Sequence, residues 1–266
     1  MKYKSIFKLC LLTTFLSVAT ISCDDWTEME IHDSQVNGFK EQNPQEYAVY
    51  TQNLRAYKAT KHAVVYARLD NAPEVSTSEK DFLRALPDSI DIVTMRNADR
   101  LSEYDREDMK LVREDYGTKV LYYIDCTAKD KQNTSITSAV EAVCTGTFDG
   151  IALGSEGSAV DVSVLKPLVD ALGQTPCLLV FEGTPSLLPE AQRSLFNYFV
   201  LDISAASDEY DIETSVLYAT GYGKADPDRL LLAVTPDGTL TDYNGVTRNA
   251  ISGAAYSALN METPLG

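Results

Sequence analysis

A (β/α)8 TIM-type barrel of the α/β class, irregular around its last βα units, is the fold this sequence predicts, and three observations predict it. Short β-branched or aromatic runs alternate with helix-period segments, at 62–69, 90–95, 119–125, 148–153, 177–181, 198–203, 230–234 and 253–259. Those runs are nearly continuous in Val, Ile and Leu, as parallel strands covered on their outer face require. Eight such units fit a closed barrel better than an open doubly wound sheet. With 44% apolar residues, the roughly 240 residues beyond Cys23 are enough for one core.

Each element follows in chain order. Lys2, Lys4 and Lys8 precede an apolar run over 9–21, which reads as an export signal too short to span a bilayer comfortably. The signal closes on Ser22-Cys23, so the sequence predicts cleavage after residue 22 and a lipid on Cys23, anchoring the chain at the outer membrane or cell surface. Residues 23–44 read as an acidic tether with Asn43-Pro44 as a breaker, and the barrel is assigned to 45–266. A helix is predicted over 45–58. Ser78 caps a segment at 79–86, and Ser102 caps one at 103–116, with Asp105 placed like a capping-box acid. Further helices are expected at 136–144, 160–172, 189–196 and 211–222. Two places fit poorly: 241–250 is a weak helix containing Asn244-Gly245, and nothing after the eighth strand can cover it, so the helix at 45–58 is expected to fill that gap.

Charge and cysteine usage exclude several functions. The formal charge of −16 becomes −19 without the three signal lysines, and no basic cluster appears, which argues against nucleic acid. Cys126, Cys144 and Cys177 remain beside the anchor; their spacing matches no metal site and His32 and His62 are far apart in sequence, so buried free thiols, no metal and no cofactor are expected. Gly221-Tyr222-Gly223-Lys224 lacks the spacing of a phosphate loop, and Gly154-Ser155-Glu156-Gly157 lacks that of a nucleophile elbow.

In such barrels chemistry gathers where strands end, at the C-terminal face. Those positions hold Arg68 and Asp70, Arg96 and Asn97, Asp125, Glu156, Glu182, Asp202, Asp237, and Asn260 with Glu262. Aromatic faces that could stack on a ligand are Tyr66, Tyr122, Tyr123, Phe181, Tyr218, Tyr222, Tyr243 and Tyr256, whereas the only Trp, Trp26, lies beside the anchor. Tyr123 and Asp125 share one strand face and are the best pair. Tyr123, Asp125, Glu182, Asp202 and Tyr256 are the candidate binding residues.

The fourth run reads Phe148-Asp149-Gly150-Ile151-Ala152-Leu153-Gly154-Ser155-Glu156. Here the chain resembles the family 18 glycoside hydrolases, particularly their endo-β-N-acetylglucosaminidase branch, whose fourth strand carries Asp-Gly-x-Asp-x-Asp-x-Glu. Leu54-Arg55-Ala56-Tyr57-Lys58 and Leu86-Pro87-Asp88-Ser89-Ile90-Asp91 resemble the same branch, so the likeness runs over most of the chain beyond the signal. Asp149 and Gly150 fall on the first two motif positions and Glu156 on the general acid, while Ala152 and Gly154 stand where two carboxylates belong. The resemblance implies a substrate-assisted reaction, in which the sugar's acetamido oxygen attacks and the protein supplies an acid and a stabilising Asp. Asp149 and Glu156 are therefore the candidate catalytic residues, on a degenerate motif.

Asp24-Asp25 resembles the export tag of glycan-scavenging surface lipoproteins. These resemblances imply a non-catalytic surface lipoprotein that captures oligosaccharide containing N-acetylglucosamine, such as N-glycan, and passes it to a glycan transporter complex. Two alternatives stand beside it: an active endo-β-N-acetylglucosaminidase or chitinase-like hydrolase using Glu156, and a structural or interaction lipoprotein that binds no sugar.

Overall fold

The computed structural model describes residues 38–72, 78–127, 132–155, 157–172 and 175–260. The segments expected to be an export signal and, for the most part, an acidic tether lie outside them with Cys23 and Trp26, as do Glu156 and Glu262. Chain contacts divide the protein into two units, Met1–Val49 and Tyr50–Gly266.

In the first unit, α1 covers Phe39–Gln42 and α2, Pro44–Lys58, begins. Asn43-Pro44 separates the two helices because Pro44 takes the first helical position, where its missing N–H costs nothing. The rings of Phe39 and Tyr47 meet edge to face at 6.4 Å.

The second unit holds a sheet of seven parallel strands in sequence order: β1 Tyr66–Leu69, β2 Ile92–Met95, β3 Lys119–Asp125, β4 Gly150–Gly154, β5 Leu178–Glu182, β6 Tyr198–Asp202 and β7 Leu230–Ala233. Helices α3 Glu103–Glu114, α4 Gln132–Cys144, α5 Val162–Leu172, α6 Glu190–Arg193 and α7 Glu209–Leu217 return the chain between strands. Ser102 caps α3 as its sequence predicts: its hydroxyl accepts from the Asp105 amide at 3.1 Å, and the Asp105 carboxylate accepts from the Ser102 amide at 2.8 Å. The segment predicted as a helix at 79–86 is two 3-10 turns, Glu79–Asp81 and Leu83–Ala85, and the last turns of the helix predicted to Tyr222 relax into a π-helix over Tyr218–Tyr222.

Alternation along the strands gives two apolar layers. Met95, Ile124, Ile151, Leu153, Phe181 and Phe199 point outward under the helices. Ile92, Leu121, Tyr123, Ala152, Val180 and Val200 point inward and pack on one another. The sheet is curled, which a single contact proves. Strands sit about 4.8 Å apart, so flat sheet geometry would put β1 and β5 roughly 19 Å from each other. Yet Arg68 on β1 pairs with Glu182 on β5 at 2.8 Å. The barrel class predicted from sequence is the observed one, with seven strands in the sheet.

The eighth run is the exception. Residues 253–259, predicted as a strand, lie in helix α8, Ala250–Asn260. Ala254, Ala255, Ala258 and Leu259 carry helix propensity that outweighs Gly253, and the run has no β-branched residue, so local preference favours the helix. The weak helix expected at 241–250 is instead a hairpin of β8 Thr239–Thr241 and β9 Thr247–Asn249. Asn244-Gly245 builds its turn, with Gly245 at φ 77°, and one Asp242 carboxylate oxygen accepts from the amides of Asn244 and Val246, both at 2.9 Å.

Nor does α2 fill a gap beside an eighth strand. Its second half is fastened at the N-terminal ends of β2 and β3, where Lys58 Nζ donates to the carbonyls of Asp88 (2.7 Å) and Ile90 (2.5 Å) and to the Thr118 hydroxyl (3.0 Å). Of the thiols expected to be buried, Cys126 and Cys177 are half-buried and Cys144 is exposed.

Just beyond α2, His62 lies between two acceptors: Nδ1 is 2.7 Å from the Thr60 carbonyl and Nε2 3.0 Å from the Asp91 carboxylate. Neither partner can donate, so the imidazolium, with two N–H groups, fits best. The Thr60 carbonyl first, and Asp91 second, raise the His62 pKa above its ordinary value. A raised pKa in the folded state stabilises below the unfolded value of about 6.5, and that contribution is lost as pH rises through the folded value. Thermal melts should therefore show the protein more stable than His62→Gln at about pH 5.5, with the difference closing by about pH 8.5.

Candidate functional site

At the C-terminal ends of the strands the inward positions are Arg68 (β1), Arg96 just past β2, Asp125 (β3), Gly154 (β4), Glu182 (β5) and Asp202 (β6); the register sets Asp125, Gly154 and Glu182 side by side, and the side chains of Arg68 and Arg96 reach Glu182 across the curled sheet. Below them stand Tyr66, Thr94, Tyr123, Ala152, Val180 and Val200, one residue pair deeper.

Glu182 is the centre of this layer. Its side chain is 1% exposed and pairs with Arg68 Nε at 2.8 Å, while Arg96 Nη1 stands at 3.9 Å. The Tyr66 hydroxyl donates to its other oxygen and also meets the Thr94 hydroxyl. Burial first, and the Glu182 charge second, push the Tyr66 phenol well above its ordinary value, so it remains a donor to the carboxylate. A buried carboxylate surrounded by two guanidinium groups and a phenol is compensated and fixed.

Tyr123 settles what the fourth strand can hold. A Cβ built on Gly154 would stand 2.7 Å from Cε2 and Cζ of Tyr123, and closer still to its hydroxyl. Glycine is there because the phenol end occupies the place of a side chain. The guanidinium of Arg96 lies over the same ring, 4.1 Å from its centroid. Burial pushes the Tyr123 phenol up to about 12, against the pull of Arg96.

The two remaining carboxylates are held by their own loops. Asp125 accepts from the amide (2.8 Å) and hydroxyl (2.6 Å) of Thr127, and Asp202 from the amide of Ser204 at 2.9 Å. For Asp202, partial burial works upward, but the Ser204 bonds and the Arg68 charge outweigh it and hold the carboxyl below its usual value.

Asp149 is not part of this layer. It precedes β4 at the opposite end of the strand, where its carboxylate takes the Val120 amide at 3.0 Å and pairs with Arg113 at 2.9 Å and Lys119 at 3.7 Å. A cavity of about 520 Å3 opens beside it, lined also by Arg106, Met109 and Lys110. The motif's first Asp is thus a clamp between strands and α3, not an acid facing a ligand. Asp149→Asn should cost about 2 kcal/mol in urea denaturation, since it leaves the Arg113 charge short of its partner, and should leave ligand binding unchanged.

Of the other expected residues, Glu156 is outside the described residues, and Tyr256 stands on α8 rather than on a strand end. Tyr122 and Phe181 face outward into the core, and Tyr218, Tyr222 and Tyr243 are exposed. Asn97 ties the first two loops together: its amide donates to Asn71 Oδ1 at 3.0 Å and its side chain to the Asn71 carbonyl at 2.6 Å. Asp70 and Asp237 are exposed. The residues that sequence reasoning left out of the binding set are Tyr66, Thr94, Arg68 and Arg96. Their signal is a basic residue closing each of the first two strands, in step with Asp125.

Residues 27–142 match the sequence model described as glycoside hydrolase family 18, BT1044-like, a stretch that ends before β4. No curated protein matches the chain. Among solved structures, one of BT1044 carrying a Glu-to-Gln substitution is similar at 17% identity, over 84% of each chain, with a TM-score of 0.65. The apo endo-β-N-acetylglucosaminidase of Cordyceps militaris is similar at 15% identity, over 82% of this chain and 84% of that one, with a TM-score of 0.56. At these identities the structures speak for the fold, and the sequence match speaks for the family over its first part. With the curled parallel sheet, they give the chain the barrel fold of these proteins and a likeness to the family 18 glycoside hydrolases over residues 27–142.

Proposed function

We propose that this protein is a lipid-anchored surface protein whose family 18-like barrel binds glycan, of the N-acetylglucosamine-containing kind found in N-glycans, without cleaving it. The observation that carries this reading is the Tyr123 hydroxyl at the place of a side chain on residue 154. Substrate-assisted hydrolysis needs a carboxylate beside the acid to orient the acetamido group and stabilise its developing charge. With Ala152 and Gly154 on the strand and Tyr123 over the latter, the fourth strand itself supplies no carboxylate there. The loss of one such preorganised group costs on the order of a hundred- to a thousand-fold in rate. Asp125 and Asp202, which could substitute, are already bonded into their own loops.

What the layer still offers is recognition: the two partly exposed guanidinium groups of Arg68 and Arg96 where the strands end. The membrane anchor at Cys23 fits retention of captured sugar near a transporter. A filled strand-end layer also suits the reading of a structural lipoprotein that binds no sugar, and binding decides between the two.

Purified protein incubated with N-linked glycopeptides and chitooligosaccharides should bind on a glycan array and release no product. Turnover that Glu156→Gln abolishes would overturn the non-catalytic reading. No binding at millimolar ligand would overturn glycan capture. For the anchor, fatty-acid labelling in cells should be lost in Cys23→Ser.

A further inference from the structure

We propose that the strand-end layer of the barrel selects acidic sugars, holding a carboxylate or sulfate group on the guanidinium of Arg96 with Arg68 beside it. This rests on the glycan-binding reading above and goes further by naming the charge of the ligand.

The argument starts from an imbalance of donors. A guanidinium carries five N–H groups in a fixed fork. The Arg96 side chain is only 30% exposed, yet the acids nearest to it among the described residues are Asp70 at 3.8 Å and Glu182 at 3.9 Å. Charge-assisted N–H···O bonds run about 2.7–2.9 Å, so both distances are too long for hydrogen bonds. Among the described residues the Arg96 side chain therefore has ion-pair neighbours but no hydrogen-bonded acceptor. Arg68 Nε stands 2.8 Å from Glu182 as an ion pair without hydrogen-bond geometry, and its two terminal nitrogens have no acceptor among the described residues.

Arg96 is nevertheless not loose. One face of the guanidinium lies on the Tyr123 ring, 4.1 Å from its centroid, which fixes the plane of the fork. A fork that is stacked, mostly buried and short of acceptors is set up for a planar or tetrahedral oxyanion in bidentate contact. Arginine on an aromatic face is a firmer platform for this than a lysine on a flexible stem.

The surrounding charge has been arranged so as not to compete. Glu182 lies beneath the two arginines, 1% exposed, and neutralises one of them. Asp125 accepts from Thr127, and Asp202 from Ser204. Asp70, 87% exposed, is the acid nearest Arg96 at the surface, and it is free to turn into solvent. A neutral sugar would satisfy the fork only with hydroxyl oxygens, which make weaker acceptors than a charged one.

Isothermal titration of the purified full chain tests this with matched ligands: a sialylated N-glycopeptide against its desialylated form, a uronic acid oligosaccharide against its carboxyl-reduced form, and N-acetylglucosamine 6-sulfate against N-acetylglucosamine. The acidic member of at least one pair should bind about tenfold tighter or better, and the pair that does so separates carboxylate from sulfate sources. Arg96→Gln should remove that preference, and Arg96→Lys, which keeps the charge and loses the fork, should recover only part of it. Melting curves of both variants establish that they are folded. Equal binding of acidic and neutral members overturns the charge selection and leaves glycan capture standing. Preference for the acidic member that survives in folded Arg96→Gln overturns the assignment to Arg96. Absence of binding by every ligand overturns both readings together.

Discussion

Replacement of Gly150 by alanine is expected to abolish cooperative folding of the barrel. A Cβ at this position would lie 2.7 Å from the Leu178 amide nitrogen and 2.8 Å from its carbonyl carbon, and closer still to the carbonyl oxygen. All three atoms are backbone of the chain opposite, in the ladder that pairs Gly150 with Leu178. No side chain can swing away to relieve the overlap. Either β4 and β5 separate, losing the register that also sets Ala152 against Val180 and Gly154 against Glu182, or the strand twists out of the sheet. Overpacking usually costs about 1–3 kcal/mol where side chains can repack; with backbone against backbone the cost should exceed that, against a typical domain stability of roughly 5–15 kcal/mol. Circular dichroism and thermal melts of Gly150→Ala should show no cooperative transition, whereas a melt within a few degrees of the parent would contradict the packing described. Gly146, at φ 75° with open space around its Cβ position, is the control: alanine there should be strained but foldable.

The second large effect belongs to Glu182. Its carboxylate, 1% exposed, receives the Tyr66 hydroxyl and faces both Arg68 and Arg96. Alanine at this position would leave two guanidinium groups and a phenol converging on nothing. Breaking a buried ion pair costs roughly 3–5 kcal/mol, and the low end, about 3 kcal/mol, is expected here because water can reach the arginines. Their side chains are 38% and 30% exposed. Glu182→Gln keeps an acceptor for Tyr66 and removes only the charge, so it should fall between the parent and Glu182→Ala in urea midpoint. If the arginines select acidic sugars, Glu182→Gln should also bind them more tightly than the parent does, since one guanidinium is no longer neutralised. Stability down and acid affinity up in one variant is a combination that a purely structural Glu182 would not produce.

Strand existence was legible because the seven runs are apolar, short and bounded by polar loops, and a parallel sheet buried on both faces demands such runs. Their boundaries shifted by a residue or more, as at β1, where the run begun at His62 becomes a strand only at Tyr66. The run at 253–259 is a helix and not the expected strand because its alanines are good helix formers, and period alone does not separate a buried helix from a strand over so few residues. Asn244-Gly245 carried the hairpin in plain view. The site was legible in part. Period-two alternation puts Tyr123 and Asp125 on one face, and Glu182 and Asp202 each at the end of an apolar strand, without any structure. Asp149 and Asp125, two acids of the same kind, differ in which end of a strand they occupy, and only the register reveals that one is a clamp. That Tyr123 should lie over Gly154 depends on which side chain fills the space between two neighbouring strands, which no single-strand pattern encodes. The same holds for Arg96, whose importance comes from what it stacks on and what it lacks.

Tyr123 and Gly154 are also an epistatic pair. A carboxylate introduced at position 154 collides with the phenol, and the phenol cannot be trimmed alone without opening a hole beneath Arg96, a change of the size that typically costs about 3 kcal/mol or more. Both first steps lead downhill, and only the double change reaches a strand that could again carry an acid beside Glu156. On the non-catalytic reading proposed above, the barrel stands, point mutation by point mutation, on the near side of a fitness valley, where refining a binding layer takes single steps and rebuilding a cutting strand takes two at once.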